Sequence, residues 1–176
     1  MLYVQFLWGM ETRSEPAQDF LLKISYPGRD MAERSRSVGF GMTGESNLKV
    51  LLREMKPQVV PGEFVFCAID SRDLQSLGNT PLLTYRESEG ITVVIPKEVA
   101  VQHSLSFENT WGLLTLSVHS DLEAVGLLAT VTNALADSEI SVNVVSAYFH
   151  DHLFVPYSKV HDALQILEEI PESKAK

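Results

Sequence analysis

The order and period of the segment from Leu114 to Leu167 constrain this chain more than anything else in it. LTLSVHS alternates Leu114, Leu116 and Val118 against Thr115, Ser117 and His119, the period of a strand with one buried face. In DLEAVGLLATVTNALADSEI, apolar residues recur at Leu122, Val125, Leu128, Val131 and Leu135, spaced by three and four as on a helix that covers a sheet. Ser120 or Asp121 is expected to cap that helix. SVNVVSAYF reads as a second strand, and His150-Asp151-His152 as a turn into the strand LFVP. The last run, SKVHDALQIL, places Val160, Leu164 and Leu167 on one helical face. Strand, helix, strand, strand, helix predicts a small α+β sandwich, an antiparallel sheet with both helices on one side and right-handed crossovers.

The first half repeats this architecture in reduced form, without repeating its letters. MTGESNLKVLLREM offers Thr43, Ser46 or Asn47 as the cap of a short helix with Leu48, Leu51, Leu52 and Met55 on one face. Past Pro57 and a turn at Pro61-Gly62, EFVFCAID is dense enough in apolar residues for a strand buried on both faces. SRDLQSLGNT leaves room for one helical turn. PLLTYRES and GITVVIP form a hairpin across Glu89-Gly90, where glycine accepts a positive φ, and Pro96 opens the short helix KEVAVQHSL. Trp111 falls between the two halves, where it is expected to pack one against the other. Residues 42–108 and 109–170 are thus expected as two modules, with 171–176 a tail. Residues 1–41 mix charge, serine and glycine without a sustained period and are expected to be a disordered extension, with Met42 as the native start.

Charge limits the partners. The chain carries 23 acidic and 14 basic residues for a net charge of −9, all of it in residues 42–176, because residues 1–41 balance five against five. Such a surface repels phosphate backbones and anionic lipid, so neither nucleic acid nor membrane is an expected partner. A single cysteine, Cys67, excludes an intrachain disulfide and a paired-thiol site, which suits a cytoplasmic setting. The apolar start MLYVQFLW lacks a basic leader and is too short to span a bilayer.

The stretch from Asp121 to Val145 resembles the ACT domain, the small ligand-sensing module of amino-acid metabolism. The resemblance rests on an acidic residue after the first strand (Asp121), a glycine near the helix start (Gly126), the leucine and valine stripe from Leu122 to Leu135, and the strand Ile140 to Asn143 with its polar end. Residues 45–167 as a whole are similar to an uncharacterised bacterial family of tandem ACT-like proteins, through LKVLLREMKP, PGEFVFCAI and VHSDLEAVGL to AYFHDHLFVP. In outline the tandem is similar to the eukaryotic arginine sensors of the CASTOR type, with no residue match that carries arginine specificity. The resemblance implies two ferredoxin-like βαββαβ-type modules in tandem, the first reduced. It also implies a ligand held at the module interface: backbone around Ser120, Asp121, Val125 and Gly126 for an α-carboxylate, and Asp121 or Asn143 for an ammonium. Val125 stands where many ACT modules have proline, so the loop conformation is this chain's own.

No catalytic residue, metal or cofactor is expected. Cys67 lies in an apolar run where a thiol is inert, no nucleophile elbow or phosphate-cradling glycine loop is present, and His150 and His152 are read as turn residues rather than zinc ligands. The expected function is a regulatory protein binding a small molecule, an amino acid by preference, and acting through a homo-oligomer or a regulated partner. The alternative is an assembly protein that takes no ligand and pairs through its sheet edges.

Overall fold

A computed structural model of the chain describes residues 44–174, with side chains described through Ile170. The expectations for residues 1–41 and for Met42 lie outside the described residues. The elements are α1 (Leu48–Glu54), β1 (Pro57–Ile69), α2 (Ser71–Leu77), β2 (Leu83–Arg86), β3 (Ile91–Pro96), α3 (Lys97–Gln102), β4 (Trp111–Leu116), α4 (Leu127–Asp137), β5 (Asn143–Ser146), β6 (Asp151–Pro156), a 3-10 turn (Tyr157–Lys159) and α5 (Val160–Lys174). The six strands form one sheet in the order β2-β3-β1-β4-β6-β5, every pair antiparallel.

Each half is strand, helix, strand, strand, helix, the ferredoxin-like pattern without its last strand. Where that strand would close each half, the halves close each other: β1 pairs with β4 in the register Pro57 opposite Leu116 to Phe64 opposite Trp111. The fold is the α+β arrangement expected of tandem ACT-like modules. The reduction of the first half shows in its helices, seven and six residues against eleven and fifteen.

Alternation along the strands sorts the core. Val65, Cys67 and Ile69 of β1 point to one face, where they pack with Leu77 of α2 and Val99 and Ala100 of α3. On the same face of the second half, Leu114, Leu116, Leu153 and Val155 meet Val131 and Leu135 of α4 and Val160, Ala163 and Leu167 of α5. Leu51, Leu52 and Met55 complete that cluster, so α1, capped by Asn47 as the sequence suggests, packs into the second half. The opposite face carries a separate cluster of Val60, Phe64, Val94, Leu113 and Phe154, with Phe66 and Trp111 against it. Phe66 stands edge-on to Trp111 at 5.7 Å and to Phe154 at 5.4 Å.

Four local expectations are corrected. Pro61-Gly62 is not a turn before the strand. It lies inside the thirteen-residue β1, where proline's missing N–H and Gly62 at φ 111° produce a bulge between Val60 and Phe64. The helix after β4 does not begin at Asp121: α4 starts at Leu127 with Gly126 in the cap position, so Leu122 and Val125 lie in the loop, 67% and 83% exposed, and the buried stripe is Leu127, Val131 and Leu135. The turn between β5 and β6 spans Ala147 to His150, closed by the Ala147 N–H on the His150 carbonyl, so that Asp151 and His152 are strand residues. Thr115, expected on a wet face, is buried because that face carries the aromatic cluster; its hydroxyl shares a 2.9 Å hydrogen bond with His152 Nδ1.

Gly112 marks where α5 lies closest to the sheet: a Cβ there would stand 2.0 Å from Val160 Cγ2. Gly112→Ala is therefore expected to lower stability by about 1–3 kcal/mol, read as a shifted denaturant midpoint at unchanged m-value.

Candidate functional site

The backbone between β4 and α4 is held by the segment leading into α1. The Glu45 N–H donates to the His119 carbonyl at 3.0 Å, and the Asp121 N–H donates to the Glu45 carbonyl at 2.9 Å, making an isolated parallel bridge between Glu45 and Ser120. The approach requires glycine at position 44, where a Cβ would stand 2.3 Å from the Asp121 nitrogen. Ser117 is fastened to the segment that follows α1, its hydroxyl donating to the Lys56 carbonyl at 2.7 Å. Leu48 lies on Gly126, 3.0 Å from where a Cβ would be. None of this pairing is legible in hydrophobic period, because it joins groups about sixty to eighty residues apart in sequence.

Asp121 does not cap α4. Its Oδ1 accepts the Glu123 N–H at 2.8 Å and its carbonyl accepts the Ala124 N–H at 2.9 Å, so the residue closes a turn within the loop. Gly126, at φ 102°, swings the chain into the helix and supplies no side chain. The first-turn N–H groups of α4 are therefore left without a side-chain cap, at the positive end of an eleven-residue helix.

Ser120 faces a residue that the sequence reading assigned to a turn. Asp151 is 3% exposed, and its carboxylate accepts hydrogen bonds from the hydroxyls of Ser120, at 3.4 Å, and Ser146. The β5–β6 turn leans over the same loop, with the Phe149 ring 5.5 Å from His119 and 4.8 Å from Tyr148. The structure thus brings Ser120, Asp121, Val125 and Gly126 into one loop. Asn143 lies elsewhere: it is opposite Phe154, three residues along β5 from Ser146, so it is about 10 Å away along the strand and on the other face of the sheet.

Asn143 instead lines a cleft of about 420 Å³ on the aromatic face, with Phe66, Phe107, Glu108, Asn109 and Trp111. A shallower cleft of about 640 Å³ lies at the β1–α2 loop and the β2–β3 turn, the positions in the first half that correspond to the β4–α4 loop. There Asp70 caps α2, and its carboxyl is held below the usual range first by the Asp73 N–H and then by the Arg72 guanidinium. Among the described residues no three His, Cys, Asp or Glu side chains group closely enough to hold a metal ion. Burial raises the Cys67 thiol above its ordinary pKa, so it is no ready nucleophile.

Two half-modules sharing one antiparallel sheet, each with a strand-to-helix loop beside a hairpin turn, define a tandem ACT architecture. The sequence matches agree: ACT-domain profiles cover residues 43–111 and 107–169. A Vibrio cholerae protein of unknown function, described as a possible transport protein, is 43% identical over 70% of this chain and 95% of its own, with a TM-score of 0.63. The chain belongs to the ACT-domain family. More distant structures share the fold: an Agrobacterium tumefaciens protein at 15% identity (67% of this chain, 90% of that one, TM-score 0.53), and the ligand-free regulatory subunit of aspartate kinase from Thermus thermophilus at 9% identity (65% and 95%, TM-score 0.53). No curated protein matches the chain.

Two measurements test this geometry. Gly44→Ala is expected to dislodge the Glu45 bridge, giving faster amide hydrogen exchange at Asp121 and Glu45 while exchange in β3 is unchanged. His152 has its pKa lowered, chiefly by burial and then by His150. The folded state therefore favours neutral imidazole, so the stability that His152 contributes is complete above the ordinary histidine pKa near 6.5 and falls as acidification protonates the unfolded chain first. Melting between pH 7.5 and 5 is expected to decline less steeply in His152→Gln than in the parent.

Proposed function

We propose that this protein is a regulatory binding protein whose ligand is a small amphoteric metabolite, an amino acid, held at the β4–α4 loop. The observation that carries this reading is the uncapped start of α4, where backbone donors and the helix dipole favour a carboxylate beside Gly126. Membership of the ACT family supports it, since the resemblance implies ligand sensing rather than catalysis, as does the regulatory aspartate kinase subunit that shares the fold. A ligand favouring one arrangement of the loop would shift the population toward it, and a regulated partner or a second copy would read the change. Among the described residues no helix is long and apolar enough to cross a membrane.

The second reading is assembly without a ligand. Its support is that, among the described residues, the sheet ends in two four-residue edge strands, β2 and β5, each with a side open to another strand. Thermal denaturation of the whole chain against the twenty amino acids separates the two. A ligand at a hundred times its dissociation constant is expected to stabilise by about 2.7 kcal/mol. That gain is expected to vanish in Gly126→Trp, whose indole would displace Leu48. No response from folded protein, together with a concentration-dependent dimer in light scattering, would favour assembly.

A further inference from the structure

Resting on the reading above, we propose that Asp151 is the ammonium-receiving group of the site and that the ligand is an α-amino acid with an apolar side chain. The sequence reading gave this role to Asp121 or Asn143, but Asp121 is turned onto its own loop and Asn143 lies on the other face of the sheet.

Asp151 is almost completely removed from solvent, and among the described residues its hydrogen-bond partners are two serine hydroxyls, with no lysine or arginine paired to it. A buried carboxylate normally has a cation partner, because two neutral donors leave much of its lost hydration unreplaced. It also has acceptor sites to spare: a carboxylate offers about four lone-pair positions, and the hydroxyls occupy two. A bound ammonium supplies both the missing charge and the missing donors. The 3.4 Å contact to Ser120 is the longer one and belongs to the loop that holds the rest of the site, so it is the contact that a ligand would exchange.

The surroundings define the rest of the ligand. Leu122 and Val125 are exposed on the loop, and Tyr148 and Phe149 on the facing turn; these four are among only nine large apolar side chains exposed in the described residues. The contact of Phe149 with His119 holds the turn's rings against the start of the loop that carries Leu122 and Val125. A leucine-like or phenylalanine-like side chain would bury this surface, whereas a charged one would meet no complementary group there.

The experiment is calorimetric titration of the full chain with L-leucine, L-phenylalanine, L-lysine, L-glutamate and 4-methyl-2-oxopentanoate, the last being leucine with its ammonium replaced by a keto oxygen. The parent is expected to bind leucine or phenylalanine at least tenfold more tightly than lysine, glutamate or the keto acid. In Asp151→Asn, which keeps an acceptor oxygen for one serine and offers the other an N–H that its hydroxyl can accept, leucine affinity is expected to fall at least tenfold, to the level of the keto acid, whose own affinity is unchanged. Should that variant fail to fold, Asp151→Glu keeps the charge but moves it by one methylene, and the same selective loss for leucine is expected. Unchanged leucine binding in either variant would remove Asp151 from the role while leaving the amino-acid reading in place. A preference for lysine or glutamate would overturn the apolar ligand class, and a parent that binds none of the five would overturn this inference and the amino-acid reading together.

Discussion

The pairing of β1 with β4 is the contact on which the rest of the molecule depends. Each half alone is a three-stranded sheet whose first strand is an unpaired edge, a row of N–H and C=O groups beside a half-covered apolar face. Joining the two first strands antiparallel satisfies both edges at once and yields one six-stranded sheet. The bulge at Pro61-Gly62 lets a single long strand serve both partners: before it β1 pairs with β4, and beyond it the strand runs along β3, with Phe64 meeting both. Proline has no N–H to donate and glycine reaches φ 111°, so the ladder is interrupted where the strand changes partners.

That shared sheet places the β4–α4 loop. With both strands fixed, the helices of both halves lie on one face, and α1 enters the core of the second half rather than the first. Its leading segment then falls across the β4–α4 loop, where Glu45 pairs with His119 and Asp121, and Leu48 sits on Gly126. The loop is therefore ordered by backbone hydrogen bonds from the far end of the described chain. The helix that follows is itself anchored in the core, since Leu51 and Leu52 are buried among residues of α4 and α5.

Buried polar groups mark the two faces of the sheet differently at the start of β6. His152 and Thr115 satisfy each other on the aromatic face, leaving a neutral, closed pair. One residue earlier, Asp151 faces the opposite side, beneath the loop, with hydroxyl partners only. Adjacent strand residues thus carry a closed structural contact and an electrostatically incomplete one, because alternation sends them to opposite faces of the same sheet.

Much of this was legible from residues alone. The period of Leu114 and Leu116, the helical spacing of Val131 and Leu135, the Asn47 cap and the Glu89-Gly90 hairpin are local features, governed by neighbours within a few positions, and they sufficed for the α+β class and its tandem repeat. Leu122 and Val125 misled because they continue a helical spacing while belonging to a loop that long-range pairing pulls away from the helix. Asn143 and Asp151 show the same limit from the other side. Residue type nominated the first and overlooked the second, since which of two polar residues in adjoining strands ends beneath the loop depends on register and strand boundaries, fixed only when β5, β6 and β4 pair. By itself the sequence determined the elements, their order and the family they belong to; the tertiary structure decided which loop the N-terminal segment holds and which carboxylate lies under it, because both follow from contacts between residues tens of positions apart.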